Sequence, residues 1–297
     1  MNDRPRGIFF IDLDGTLVGA GRQPDSARPG ADYEHGVNDR VWGPLDALRA
    51  AGWRLAVCTG RPGRGIAMDI ARRFDPDGLH VFESGGAVLD THGNVHESHP
   101  IEADAVSAIA ALSTTEGATL EAYAANGRYL VPERDTFVAS HETLLGFEAE
   151  LTTTWPPPVP LVRLQWVVPT PRWPALRELA LRPRSGSGAA SAPLALVSAH
   201  EGRSPMVPDV SFISMTRRGI SKATGMRTVL AALGLTPAEA AMAGDNHNDL
   251  DGLRLVGRAF VPVDGAEVAR ALAHHLIPGP SDGGVAEAAM MLASGRA

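Results

Sequence analysis

Residues 7–16 read Gly-Ile-Phe-Phe-Ile-Asp-Leu-Asp-Gly-Thr. Ile8 to Ile11 is a short unbroken apolar run that opens onto two carboxylates and a glycine. Such a run suits a strand covered on both faces, as in a parallel sheet. Ligands of open parallel sheets sit beyond the carboxyl ends of the strands, so chemistry is expected at Asp12 and Asp14. Working outward, Val41 to Ala51 carries Val41, Leu45 and Leu48 at helical spacing and closes at Gly52. Trp53 to Cys58 is a second buried-type strand, ending in Thr59-Gly60-Arg61. Gly65 to Phe74 reads as a helix and Leu79 to Phe82 as a third strand. This alternation predicts an α/β fold with a doubly wound parallel sheet.

The pattern then changes. Ala87 to Pro100 alternates apolar and polar residues around His92-Gly93-Asn94, the reading of a hairpin. Helices are expected at Glu102 to Thr115 and Trp173 to Leu181. Strands are expected at Thr119 to Tyr123, Arg128 to Pro132, Val159 to Val168, Leu194 to Ser198 and Val210 to Ser214. Trp155 and Pro156 to Pro158 suggest an extended connector. Gly19 to Gly36 and Arg182 to Ala192 read as loops. The mixture is that of an α+β unit inserted into the first domain. Alternation resumes near Gly219, with helices at Lys222 to Leu233, Asn248 to Val256, Gly265 to Ala273 and Val285 to Ala293. Between them fall strands at Ala240 to Ala243, Ala259 to Val263 and His275 to Ile277. The expected division is a core from residues 1–86 and 216–297, and an inserted unit from 87–215.

Composition bounds the function. The chain has 297 residues, suiting one large or two medium domains. Asp plus Glu is 34 against Lys plus Arg 27, a net charge of −7. Bulk charge therefore argues against nucleic acid and anionic membranes as partners. The single cysteine, Cys58, excludes an internal disulfide and reads as a buried core thiol. No apolar run approaches the length of a membrane span or a signal peptide, so a cytoplasmic location is expected. An anionic ligand would have to be met locally, by a metal ion or a few placed cations.

Three predicted strands end in reactive residues. They are Asp12-Leu13-Asp14-Gly15-Thr16, Thr59-Gly60-Arg61 and Gly244-Asp245-Asn246-His247-Asn248-Asp249, and Lys222 opens the helix before the last. Asp12, Asp14, Asp245 and Asp249 would repel one another unless a cation joins them. All-oxygen ligands suit magnesium. Gly15 permits a sharp turn whose amides can hold phosphate oxygens. Thr59 offers a hydroxyl and Lys222 a point charge. Together the parts describe phosphoryl transfer. Each alone has a plainer reading: a turn at Asp12 to Thr16, a turn at Thr59 to Arg61, a solvated lysine, and a helix N-cap at Asp245. Their occurrence together, in order and at strand ends, favours the chemistry. Asp14 can act as an acid only if its neighbours raise its pKa, while Asp12 must stay ionised against the metal.

These motifs resemble the four motifs of the haloacid dehalogenase-like (HAD) hydrolase superfamily. Glu83-Ser84-Gly85-Gly86-Ala87 and its hairpin resemble the way into the cap of subclass IIB, the Cof-like phosphatases, although relatives often carry Asn-Gly-Ala where this chain has Ser84-Gly85-Gly86, and Gly where it has Ala223. The resemblance implies a HAD-type core with an inserted cap and a magnesium-dependent phosphatase acting on a small phosphorylated metabolite, sugar phosphates first. It implies Asp12 as nucleophile and Asp14 as acid and base. Thr59, Gly60, Arg61 and Asn248 would lie at the substrate, and Lys222 would neutralise charge. Magnesium would be held by Asp12, Asp14 (through its backbone carbonyl), Asp245 and Asp249. A monomer or weak homodimer is expected. The rivals are a phosphomutase of the phosphomannomutase type and a non-catalytic phospho-ligand sensor. A receiver-like phosphoaspartate switch needs only one small domain.

Other residues have structural readings. His247 suits an exposed loop. His274 and His275 would face opposite sides of a strand. Arg61 could also cap the helix that follows it. Arg163 and Gln165 share one face of a strand, beside Trp166, that could face the active site, but a solvated sheet face is the expectation there.

Overall fold

The computed structural model describes residues 4–19, 36–183, 192–204 and 207–296. The expected loops at Gly19 to Gly36 and Arg182 to Ala192 lie largely outside them. In chain order the first half holds β1 (Gly7–Ile11), α1 (Trp42–Ala50), β2 (Trp53–Val57), α2 (Gly65–Phe74), β3 (Leu79–Phe82), β4 (Ala87–Asp90) and β5 (Val95–Ser98). Next come α3 (Ala103–Glu116), β6 (Thr119–Ala124), β7 (Tyr129–Val131), α4 (Thr136–Leu145), β8 (Glu150–Leu151), β9 (Leu161–Pro169), α5 (Trp173–Ala180), β10 (Val197–Ser204) and β11 (Val207–Arg217). The last part holds α6 (Lys222–Leu233), β12 (Ala240–Ala243), α7 (Leu250–Leu255), β13 (Arg258–Pro262), α8 (Glu267–Arg270), β14 (His275–Ile277) and α9 (Gly284–Ala293).

Five strands form a parallel sheet in the order β14-β13-β12-β1-β2. Its strands are apolar at successive positions because helices cover both faces. Phe9, Ile11, Leu55, Val57, Ala241 and Ala243 pack on one side with Leu45, Leu48, Phe74 and Leu292. Ile8, Phe10, Ala56, Ala240 and Met242 pack on the other with Met226, Val229 and Leu253. The order reverses between β1 and β12, the kind of switch point where a crevice opens. Asp12 leaves β1 there, and its N–H donates to Ala243 O at 2.9 Å.

β3, β4 and β5 form an antiparallel sheet. A single bridge, Cys58 to Val81, ties it to the end of β2. The expected boundary at residue 87 therefore falls inside a sheet. Ala87, Val88 and Leu89 are all fully buried, and Val88 and Leu89 enter the core from opposite faces. The hairpin thus takes its burial from the core.

The inserted unit is a six-stranded sheet, β10-β11-β9-β6-β7-β8. One face packs Leu120, Leu164, Trp166, Ile213 and Met215 against Ile109, Leu112 and Leu176 of α3 and α5. The opposite face carries His200, Ser214, Gln165 and Glu121 in register across β10, β11, β9 and β6. β10 and β11 run well beyond the expected Leu194 to Ser198 and Val210 to Ser214, and α4 was not expected at all. Both differences arise where residues turn a polar face inward.

Candidate active site

Asp12 is buried at the end of β1. Lys222, the first residue of α6, is wholly buried and donates to Asp12 Oδ1 and to Asp249 Oδ1, each at 2.6 Å. The capping box of Ser221 and Thr224 fixes the start of that helix, so the lysine is aimed by local sequence. Asp249 Oδ2 accepts from the Asp245 and Asn246 amides at 3.1 and 3.0 Å. Asp249 therefore both shapes its own turn and positions the lysine. Thr16 Oγ1 donates to Asp245 Oδ1 at 3.1 Å. Gly15 has φ +85°, and a Cβ there would run into the Asp245 carboxylate, so the turn after β1 needs glycine twice over.

One oxygen from each of Asp12, Asp245 and Asp249 can be chosen so that all lie within 4.8 Å of one another. This donor set fits a hard divalent cation. Burial pushes the Asp12 carboxyl up to about 7, with Asp249 and Asp14 adding repulsion and Lys222 opposing. Burial, followed by Asp12 and Asp249, likewise raises Asp245. Burial lowers the affinity of Lys222 for its proton, but Asp12 and Asp249 more than restore it, so the ammonium is held charged.

Asp14 departs from expectation. Arg61 grips it with both branches, Nε to Oδ2 at 2.8 Å and Nη2 to Oδ1 at 2.5 Å. The Asp14 side chain is half exposed; crowding by the surrounding walls works to raise its pKa, but the Arg61 guanidinium outweighs this and holds Asp14 below the ordinary carboxylate value. Without a cation in the cluster, the guanidinium decides the balance at Asp14 and burial decides it at Asp12. Arg61 neither caps a helix nor lies free, since Nη1 also donates to Leu144 O on α4 at 3.1 Å.

Thr59 is fully buried, and its Oγ1 accepts from the Arg61 amide at 3.1 Å. Gly60, Arg61 and Asn248 line a cavity of about 130 Å³ together with Asp12 and Asp14. The far wall is supplied by the inserted unit: His141, Arg163, Gln165, His200 and Ser214 among others. Arg163 and Gln165 are buried, which corrects the expected solvated face. Arg163 Nε donates to Glu83 Oε2 at 2.6 Å, and its guanidinium lies 3.8 Å from the centre of the Tyr123 ring. Gln165 Nε2 donates to Glu121 Oε2 at 2.9 Å, and His141 Nδ1 stands 2.8 Å from the same oxygen. Burial works to raise Glu121, but His141 and the hydroxyls of Tyr129 and Tyr123 bring it below the ordinary value.

The other candidates separate cleanly. His247 is exposed beside Asn246. His274 Nδ1 accepts from the Ala259 amide while His275 stacks on Phe260, so the two rings do not converge. Cys58 is buried, and burial pushes its thiol up. Sequence reasoning missed Ser84, His141, His200 and Ser214. Only alternation along β9 pointed to this wall, through Arg163 and Gln165.

The model of the haloacid dehalogenase-like hydrolases (Hydrolase_3) matches residues 9–152 and 208–288. A search of curated proteins by sequence finds no match. Among solved structures, a haloacid dehalogenase-like hydrolase from Bacteroides thetaiotaomicron superposes with a TM-score of 0.73 at 19% identity, over 95% of this chain and 98% of the other. BT4131, described as a HAD subclass IIB sugar phosphatase, gives 0.73 at 18% identity over 97% and 99%. TM0651 from Thermotoga maritima gives 0.72 at 14% identity over 95% and 96%.

Proposed function

Because this chain belongs to the haloacid dehalogenase-like hydrolase family, in the Cof-like branch of subclass IIB, and is a phosphoric monoester hydrolase of that type, we propose that it hydrolyses a small phosphomonoester through an aspartyl-phosphate on Asp12. The observation that carries this reading is the clustering of Asp12, Lys222, Asp245 and Asp249, with Asp12 opening onto the cavity between the core and the inserted unit. An Asp12 oxygen attacks phosphorus while Lys222, held by two carboxylates, offsets the negative charge that gathers there. Gly60 and Asn248 flank the phosphoryl group, with the Thr59 hydroxyl behind them. Asp14 protonates the leaving oxygen and later takes a proton from the hydrolytic water. For the first of these steps it must release Arg61.

Asp12 and Asp245 are the carboxylates best placed to hold magnesium, with the Asp14 carbonyl and Asp249 in support. The ion, when bound, supplies charge stabilisation to the phosphoryl oxygens. The inserted unit acts as a cap that excludes bulk water from the cavity. Sugar phosphates lead the substrates, a reading supported by the likeness to BT4131 and by the polar far wall.

The test is phosphate release from a phosphomonoester panel with magnesium. Turnover of at least one sugar phosphate is expected, and Asp12→Asn abolishes it. A panel with no turnover would defeat the reading. Full activity in Asp12→Asn would remove the aspartyl-phosphate.

A further inference from the structure

The charged groups around the cavity are largely paired within the protein: Asp12 with Lys222, Asp14 with Arg61, and Arg163 with Glu83, while Glu121 meets the His141 ring. Two hydroxyls on its walls are different. Ser84 Oγ on the core side and Ser214 Oγ on the cap side are shut from solvent and have no hydrogen-bond partner among the described residues. A buried hydroxyl without a partner is costly and uncommon. A ligand that fills the cavity would satisfy both.

Ser84 is held in an unusual way. It is 3% exposed, and it and Glu83 adopt left-handed backbone, with φ of 56° and 53°. Two consecutive non-glycine residues in that region are rare, and such strain gathers at functional sites. The surroundings impose it. The Glu83 amide donates to Arg61 O at 3.1 Å and the Ser84 amide to Thr59 O at 3.0 Å. Gly85 follows at φ +92°, pressed so close to Ser221 that a Cβ would strike its carbonyl. The exit of β3 is thus clasped between the Thr59–Arg61 turn and the start of α6. A Cβ built on Gly60 would lie 3.2 Å from Ser84 Oγ and 3.7 Å from Asn248 Nδ2. Both groups therefore border the space above Gly60.

Ser214 stands in the cross-strand row His200–Ser214–Gln165 on the cavity face of the cap sheet. His200 is held toward the neutral form by burial, and Gln165 is uncharged. This part of the wall presents uncharged polar groups.

We propose that Ser84 and Ser214 clamp the substrate from opposite walls: Ser84 donates to a phosphoryl oxygen above Gly60, and Ser214 bonds to an uncharged hydroxyl of the leaving group. The assignment rests on the phosphatase reading for the nature of the ligand. Ser84 is a phosphate-binding residue of the core, and Ser214 is a specificity residue of the cap.

The test uses the full-length protein with magnesium and calorimetric binding of inorganic phosphate, which needs no turnover. Ser84→Ala weakens phosphate binding by roughly 10–100-fold, the loss expected for a hydrogen bond to a charged group. Ser84→Gly suits the left-handed backbone and removes the same hydroxyl, so it separates the bond from the strain and must weaken phosphate equally. Ser214→Ala weakens a hexose 6-phosphate about 2–10-fold more than phenyl phosphate, the loss of one neutral bond. Phosphate affinity that is unchanged in both Ser84 variants overturns the core half. Equal losses on the two organic phosphates in Ser214→Ala overturn the cap half. A wild type that binds phosphate but hydrolyses nothing defeats the phosphatase reading and leaves the clamp to be judged by binding. A wild type that binds no phosphate defeats both.

Discussion

Acid should weaken this fold through His80, and the size of the effect follows from its surroundings. His80 is fully buried on β3. Its Nδ1 accepts from the Val57 amide at 3.1 Å, and Nε2 lies 3.1 Å from Asp75 O. β2 and β3 share only the Cys58–Val81 bridge, so the imidazole stands in for a missing rung of the ladder. It also fixes the spacing of the two chain exits that carry Thr59 and Ser84. Burial pushes its pKa from 6.5 down to about 4, against a smaller upward pull from the Asp75 carbonyl. The unfolded chain therefore takes the proton first. The contribution is intact above pH 6.5, declines as pH falls, and is lost in full below pH 4. The 2.5-unit gap corresponds to about 3 kcal/mol in total and about 2 kcal/mol at pH 5. His80→Asn keeps an acceptor for Val57 and removes the titration. Urea unfolding of both proteins at about pH 8, 6, 5 and 4.5 gives the answer. The variant is less stable at pH 8 by about 1–3 kcal/mol for its lost bond, and the gap closes by about 2 kcal/mol at pH 5. A stability difference constant across the series, or a His80 ring proton that titrates near pH 6.5 by NMR, would refute the reasoning.

The remaining expectations are smaller. Arg163→Met strands the buried Glu83 and costs about 3–5 kcal/mol in urea unfolding; adding Glu83→Gln recovers most of the loss, and no recovery would show that the pair matters through packing alone. Magnesium at 100 times its dissociation constant stabilises the fold by about 2.7 kcal/mol, read as a rise in Tm that Asp245→Asn abolishes. Cys58, buried with its thiol pKa pushed up, resists iodoacetamide in the native state and reacts once urea unfolds the chain; rapid native labelling would contradict its burial.

The two ends of the chain were easier to read than its middle, for a physical reason. β1, β2 and β12 are covered on both faces, so burial shows as unbroken apolar runs in Gly7–Ile11, Trp53–Val57 and Ala240–Ala243. Their carboxyl ends place Asp12, Thr59 and Asp245 with no further information. The cap sheet has one apolar face and one polar face turned toward the cavity. His200, Ser214, Gln165 and Glu121 interrupt the apolar signal there, which hid the length of β10 and β11. α4 was missed because its inward positions include His141 beside Val138 and Leu145. Arg163 and Gln165 were placed on one face correctly, but polar residues in alternation look solvated. Their partners Glu83 and Glu121 lie 80 and 44 residues away in sequence, and local pattern carries no trace of that pairing.

The site's electrostatics turn on the same distinction between average and local charge. A chain of net charge −7 pairs most of the charges around its cavity. The pairing has a cost for catalysis. Asp12, raised to about 7, would suit the nucleophilic role proposed for it only with a cation beside Lys222 in the acidic cluster to draw its proton affinity down. Asp14, lowered by Arg61, would suit the acid role proposed for it only if that guanidinium withdrew. The two carboxylates therefore need opposite corrections, one from an arriving cation and one from a departing cation. Arg61 is suited to the second because its third contact is Leu144 O, on α4 of the cap. A change in the position of α4 and a change in the proton affinity of Asp14 are thus coupled through one side chain. On the proposed mechanism, a phosphate ester would have to displace Asp14 from Arg61 before Asp14 could act as an acid, and that exchange would be felt at α4.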